Sequence, residues 1–312
     1  MEEIMAAIRN ELEYINEQAL AAPAAFIEKS EQRYRNIIAS VAEKALAAQG
    51  HTLILLAGPS SSGKTTTAMK IAEAMAKQGV EAFRISLDDF YYESEHMPLL
   101  PDGTPDIESV DALDLPLLHK TLRSLLDNGV GSVPHFQFKT GKRTRWDELR
   151  LDSDDVIILE GLHALHPKIA EPLGDQQIIK VYISVSSRIY DANQKIILHK
   201  RGLRLTRRIL RDSQFRDTTA AETIAMWPAV TQGEDAYLTP CKPLADILIN
   251  SIHLYESCVF RTLVLPLLEE IPPESPSYKD GCRLARSLRQ FEVIAPDLVP
   301  AESLMREFLG NG

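Results

Sequence analysis

LILLAGPSSSGKT, residues 53–65, runs from an unbroken apolar stretch into a loop of glycine and serine. Its second part, Gly58 to Thr65, fits the spacing G-x-x-x-x-G-K-S/T, and a helical stretch follows from Lys64 to Lys77. That spacing carries weight only between a strand and a helix, and both flanks are in place. Chance alone would align the four fixed positions in such a chain on the order of one per cent of the time. The chemistry of the pattern is phosphate binding. Glycines let backbone N–H groups close around anionic oxygens, and the helix N-terminus adds the positive end of its dipole. The expected nucleotide contacts are therefore Gly58, Ser60, Ser61, Ser62, Gly63, Lys64, Thr65 and Thr66. Lys64 would reach the β- and γ-phosphates, and Thr65 would ligate magnesium.

Outward from this loop, strands alternate with helices, which is the grammar of a parallel α/β sheet. Strands are expected at Ala82–Ser86, Val156–Leu159, Ile178–Ile183 and Ile247–Ile249. Helices are expected from about Asp114 to Asp127, over 187–212, and from Tyr255 to Glu270. Residues 133–138 and 145–151 alternate on both arms of an antiparallel hairpin about Thr140 and Gly141. The fold class is α/β: a P-loop NTPase sheet flanked by helices, with a hairpin insert and an N-terminal helical hairpin.

Before residue 50 the sequence reads as two helices. Ile4, Ile8, Leu12 and Ile15 form one apolar stripe, and Tyr34, Ile37, Ile38, Val41 and Ala45 another. Pro23 suits the first turn of the second helix and Gly50 its end. Such a stripe serves either packing on the main domain or a homo-oligomer interface. PPESPS, 272–277, is a turn-rich boundary. The expected division is 1–50 as a helical appendage, 51–271 as a kinase-type P-loop domain, and 272–312 as a C-terminal extension.

Two acidic positions stand at carboxyl ends of strands, where the phosphates would lie. Glu160 closes DDVIILE and is the candidate magnesium carboxylate, whereas Asp154 and Asp155 sit at the opposite end of the same strand. Asp88, in RISLDDFYY, follows the strand after the P-loop helix and is the candidate base for an acceptor hydroxyl. Its neighbour Asp89 would point elsewhere. Lys200, Arg201, Arg204, Arg207, Arg208, Arg211 and Arg216 then cluster around the single acid Asp212. A solvated basic face or a nucleic-acid patch has that composition, and so does a lid closing arginines over a transferring phosphoryl group. No N-K-x-D guanine-reading motif occurs, which argues against a GTP-specific switch.

Composition narrows the classes further. The chain has 312 residues, 45% of them hydrophobic, so it can bury a large core without disulfide or metal staples. A formal net charge of −10 argues against a general binder of nucleic acid or anionic membranes. Cys241, Cys258 and Cys282 lack metal-ligand spacing and read as reduced thiols. The acidic start MEEIMAAIRNE lacks a signal-peptide layout, and no apolar run reaches the ~18 residues of a membrane span. A cytoplasmic location is expected.

Taken in order, GPSSSGKTT, SLDDFYY, PDIESVDALDLP, PHFQFKTGKR, VIILEGLHAL and RLTRRILRD resemble the uridine kinase and phosphoribulokinase family over about 51–270. The ending VPAESLMREFLG is similar to the tail of the bacterial nucleoside-kinase branch. Members of that branch often carry a TGS domain and a synthetase-like segment upstream, which the short stretch before the P-loop leads us to expect missing. The resemblance implies ATP and magnesium as cofactors and a small-molecule acceptor, with uridine or cytidine first. It makes Asp88 the base and Lys64 and Thr65 the phosphate and magnesium contacts, with Glu160 the metal carboxylate. Arg208 and Arg211 map onto the lid helix, Arg208 acting on the transferring group and Arg211 on the nucleotide. Tyr91, Glu108 and Arg216 would line the acceptor pocket, Glu108 standing where uridine kinases place an Asp on the ribose hydroxyls. Two positions depart from the pattern. Phe136 stands where a pocket Tyr is usual, and Gly141 where a histidine reads the pyrimidine. The alternatives left open are a pentose phosphate or pantothenate kinase, and a regulatory protein that binds nucleotide without transfer.

Overall fold

The computed structural model describes residues 2–3, 9–47, 51–99, 103–174 and 176–310. Among the described residues ten strands form: β1 (Glu2–Glu3), β2 (Thr52–Ala57), β3 (Ala82–Ser86), β4 (Val130–Gln137), β5 (Lys142–Arg150), β6 (Val156–Gly161), β7 (Gln177–Ser184), β8 (Ile189–Tyr190), β9 (Ile196–Leu198) and β10 (Ile247–Asn250). The main sheet runs β1-β10-β7-β2-β6-β3 with every neighbouring pair parallel. β2 lies at its centre, with Leu53 opposite Ile157 on one side and Ile178 on the other. The pleat sends Leu53, Leu55 and Ala57 into one core and Ile54 and Leu56 into another, so both faces are covered. That double burial is why β2 and β6 read as continuous apolar runs.

The helices are α1 (Leu12–Ala21), α2 (Pro23–Leu46), α3 (Lys64–Ala76), α4 (Leu115–Asn128), α5 (Pro167–Ala170), α6 (Lys200–Phe215), α7 (Ala220–Gly233), α8 (Glu256–Glu269), α9 (Tyr278–Leu288) and α10 (Arg306–Leu309). Pro23 opens α2 at its first turn, as expected. Leu12, Ile15, Tyr34, Ile37, Ile38, Val41 and Ala45 are buried in this chain's own core, so the stripe is used within one molecule. Ile4, Ile8 and Gly50 lie outside the described residues. Beyond PPESPS the chain returns to the same core through Leu288, Phe291, Leu304, Met305 and Phe308.

The helix expected over 187–212 is corrected at its start. Residues 189–198 form a short antiparallel ladder of β8 with β9, and α6 begins only at Lys200. The Asp191 carboxylate accepts the N–H groups of Asn193 and Lys195, both at 2.9 Å, and Gln194 takes φ +61°. That Asx-type turn outcompetes the helix. His199 then caps α6 through its ring nitrogen. α7 was not foreseen because Pro228 interrupts it, although the capping box of Thr219 and Glu222 marks its start.

Three distant segments meet beneath α3. Glu31 of α2 accepts hydrogen bonds from Tyr255 (2.5 Å) and Ser303 (2.6 Å) and faces His253 at 3.5 Å. Burial alone would raise the Glu31 pKa. His253, Ser303 and Tyr255 together outweigh it and bring the value to about 2. A carboxylate depressed from 4.5 to about 2 contributes about 3 kcal/mol that is present above pH 4.5 and lost as pH falls toward 2. Glu31→Gln is expected to lower the urea midpoint at pH 7 and to shrink the wild type's margin as pH falls. Urea melts at pH 7 and pH 3 check both.

Candidate active site

The motif loop joins β2 to α3, as its spacing predicts. At Gly58 a Cβ would lie 2.3 Å from the Ile183 carbonyl oxygen, so only glycine lets the chain leave the sheet this close to β7. Gly63, at φ +90°, caps α3. The first helical bond runs from Thr67 N–H to Gly63 O (2.9 Å). The N–H groups of Lys64, Thr65 and Thr66 are therefore left for an anion. Ser61 holds φ +57°, which costs a serine about 1 kcal/mol. Its hydroxyl and that of Ser62 are buried without a hydrogen-bond partner among the described residues. Two buried hydroxyls beside free amides fit a phosphate-sized guest.

Over the loop opens a cavity of about 290 Å³. Ser60, Ser61, Gly63, Lys64 and Thr65 form its floor; Asp88, Glu108 and Glu160 stand on its walls with Arg208, Arg211 and Arg216. A larger cavity, about 610 Å³, is bounded by Leu198, Leu205, Trp227 and Leu284 and holds none of these groups. The reactive side chains converge in the smaller one.

Glu160 ends β6 on the cavity side, where its Oε1 accepts from Thr65 Oγ1 (3.1 Å) and Arg84 Nη1 (3.2 Å). At the other end of β6 Asp155 only caps a turn, accepting the N–H of Asp152 at 2.7 Å. Among the described residues no three His, Cys, Asp or Glu side chains gather as a metal cluster. Magnesium asks for less, since it commonly takes one or two protein oxygens and completes its shell with phosphate and water. Thr65 and Glu160 offer such a pair.

Asp88 follows β3 in a 3₁₀ turn whose N–H is capped by Ser86 Oγ. Asp88 is solvent-exposed where it lines the cleft, while the surrounding walls still remove part of the water from its carboxylate. That desolvation raises its pKa; Lys64 opposes the rise, Glu160 and Asp89 add to it, and Arg216 opposes it. Asp89 does point elsewhere, accepting the N–H of Phe136 at 3.0 Å and so tying the hairpin to the β3 turn. Tyr91, Phe136 and Phe138 form an aromatic group with centroids 5.1–5.9 Å apart, and none of the three is among the residues lining the cavity. A register shift between His135 and Phe136 turns that strand locally. Burial and the nearby charges of Asp88 and Glu108 push the Tyr91 phenol up. Glu108 is raised likewise by burial and then by Glu234, with Arg208 pulling it down. Gly141 holds φ +63°, and a Cβ there would meet Ser94 Oγ at 1.9 Å. A side chain there would have to turn the Ser94 hydroxyl aside and would hold the strained left-handed backbone.

The arginines of α6 divide into two groups. Arg208, Arg211 and Arg216 share the buried carboxylate of Asp212, at 3.1, 2.7 and 3.6 Å, which leaves positive charge over the cavity. Arg208 Nη1 also donates to Ser60 Oγ (2.9 Å). Arg204 and Arg207 face inward and grip the loop itself. Arg204 Nε donates to Ser60 O (2.8 Å) and pairs with Glu234, whose Oε1 accepts the Ser60 N–H at 2.8 Å. Arg207, fully buried, pairs with Glu256 at 2.5 Å and donates to Ser251 O (2.8 Å) and Ser61 O (3.3 Å). The sequence places Arg207 only in the basic cluster, without its grip on the loop, and singles out neither Glu234 nor Glu256. The available signal was an acid, Glu256, in the otherwise apolar run before VFRTLVL.

A family profile described as Phosphoribulokinase / Uridine kinase family matches residues 53–256. The chain belongs to that family. It is a phosphotransferase that acts on a hydroxyl acceptor. Among relatives, the uridine kinase of Lactobacillus johnsonii is 28% identical over 198 residues, covering 63% of this chain and 85% of that protein. The uridine kinase of Staphylococcus aureus is 28% identical over 201 residues, 64% of this chain and 86% of the other. Among solved structures, phosphoribulokinase from Rhodobacter spheroides is similar at 20% identity and a TM-score of 0.44, covering 64% of this chain and 69% of that one. A possible uridine kinase from Bacillus stearothermophilus is similar at 19% identity and a TM-score of 0.45, with 70% and 99% covered. No helix among the described residues is long and apolar enough to cross a membrane.

Proposed function

We propose that this family member transfers the γ-phosphate of ATP, with magnesium, to the 5′-hydroxyl of a nucleoside, uridine and cytidine being favoured. The observation that carries the reading is the meeting, in one cavity, of a carboxylate with a raised pKa and a phosphate loop. A pure nucleotide binder has no use for Asp88 there. In the reading, the loop amides, Lys64 and Arg211 hold the triphosphate, and Thr65 with Glu160 hold magnesium, which neutralises phosphate charge when bound. Asp88 accepts the proton of the acceptor hydroxyl as its oxygen attacks phosphorus. Arg208 offsets charge on the moving phosphoryl group. Glu108 accepts hydrogen bonds from the vicinal ribose hydroxyls, beside Tyr91 and Phe136.

One observation favours a second reading. Arg216, half-exposed and only 3.6 Å from Asp212, is held loosely enough to meet an anion on the acceptor, as a pentose phosphate would supply. The base-reading contact is also open, because Gly141 has no side chain to give. Lys139 and Lys142 on the same hairpin are the candidate base-reading groups. Steady-state rates with MgATP on uridine, cytidine, adenosine, guanosine and a pentose phosphate decide among these. The expected result is turnover of pyrimidine nucleosides with selectivity well short of the ~10⁴-fold that a directed hydrogen bond gives. Activity on the pentose phosphate alone would establish the second reading. Activity on none would favour a regulatory nucleotide-binding protein.

A further inference from the structure

Thr66 stands in the first turn of α3, where its N–H has no partner within the helix and belongs to the helix end that attracts an anion. The hydroxyl is already engaged: Thr66 Oγ1 donates to Glu307 Oε2 at 2.6 Å. Glu307 belongs to α10, and it reaches the wall of the same cavity as Lys64 and Thr65. The segment carrying it is firmly held. Ser303 is tied to Glu31 and Tyr255, and Phe308 lies against the Arg207 guanidinium with 5.2 Å to its ring centre. Leu304 packs so closely on the loop that a Cβ at Gly63 would lie 2.5 Å from its Cδ1.

We propose that Glu307 keeps the phosphate seat at Thr66 as an internal anion, and that a nucleotide must displace its carboxylate in order to bind. A carboxylate offers the same acceptor oxygens as a phosphate and is stabilised by the same helix end. Two anions cannot share that seat. Repulsion between unit charges about 4 Å apart changes an equilibrium constant by about fivefold in water and by more in a partly screened cleft. Glu307 thus holds the first turn of α3 in its binding shape and sets the affinity for the donor below what the loop alone would give. Only ligands bearing a phosphate feel the competition.

The inference rests on nucleotide binding at this loop as proposed above, so the test reads binding and not turnover. Calorimetric titration of the full chain and of Glu307→Gln with MgADP and with adenosine separates the two claims. Gln keeps the side chain's length and an acceptor for Thr66, and Glu307→Asp, which withdraws the carboxylate by one methylene, serves if Gln unfolds the tail. The expected result is MgADP binding about tenfold tighter in Glu307→Gln at low ionic strength, with the gain shrinking as salt is added and adenosine indifferent to the substitution. Equal or weaker MgADP binding by the folded variant overturns the proposal. If neither wild type nor variant binds MgADP, the nucleotide reading itself falls and this one with it.

Discussion

Asp88→Asn will bind MgATP as the wild type does and transfer phosphate about 10² to 10⁴ times more slowly. The amide occupies the same volume and cannot take a proton, so the loss falls on kcat while the nucleotide affinity, set by the loop, stays. The same substitution will raise the melting temperature at neutral pH. A carboxyl whose pKa is higher folded than unfolded binds its proton more readily in the fold, so its charged form disfavours folding once pH exceeds the unfolded value. Asp88 is in that position because burial, Glu160 and Asp89 outweigh Lys64 and Arg216. The thermal gain of Asp88→Asn should therefore fade as pH falls below the ordinary range of carboxylates. Activity in the wild type will fall on the acid side through a pKa above the unperturbed 3.8. Scanning calorimetry against pH and the acid limb of kcat/KM measure the two halves. An Asp88→Asn enzyme with unchanged kcat would take the base role away from this residue.

The largest loss of stability is expected from Arg207→Met. Removing it leaves Glu256 buried without its cation and frees the carbonyls of Ser251 and Ser61 from their donor. Breaking a buried pair from one side costs about 3–5 kcal/mol, a large share of the 5–15 kcal/mol a domain has in total. The double variant Arg207→Met with Glu256→Gln should recover part of that loss, because the stranded charge goes with its partner. Ser61 also loses the contact that holds its left-handed backbone, so the single variant should need more ATP for half-saturation at temperatures where it remains folded. Urea melts of the single and double variants, with KM for ATP on the same preparations, read both effects. A Glu256→Gln rescue of stability without rescue of KM would separate packing from loop geometry.

The central frame and the phosphate loop were legible because they depend on local pattern. A strand buried on both faces must be apolar throughout, and the loop has glycine where a Cβ would strike β7 or the Leu304 side chain. Glu160 and Asp88 were legible for a topological reason, standing at the carboxyl ends of strands. What escaped was everything set by contacts distant in sequence. Arg204 and Arg207 looked like further lid residues, because a helix sequence does not say which acid lies across from it; their partners are 30 and 49 residues away. Glu307 is 241 residues from Thr66, and the resemblance of its segment, VPAESLMREFLG, to a family tail says nothing of what that side chain meets. The ladder at 189–198 was hidden by an Asx turn that reads, residue by residue, like any polar stretch. The close approach of Ser94 to Gly141 is likewise one that no spacing rule connects to the hairpin.

The meeting of Glu31, Tyr255 and Ser303 beneath α3 has a bearing on how the molecule comes into being. Glu31 and Ser303 are 272 positions apart, so joining them closes nearly the whole described chain into a loop. Contacts of such separation are entropically late, since nothing rewards the closure until the intervening elements are in place. The glycine loop itself is local and can take shape early, on β2 and α3 alone. Its underlying support arrives only with residues past 300. A chain emerging from the ribosome therefore displays the loop long before it owns the clasp, and the loop's support is complete only once Ser303 has been made and has met Glu31.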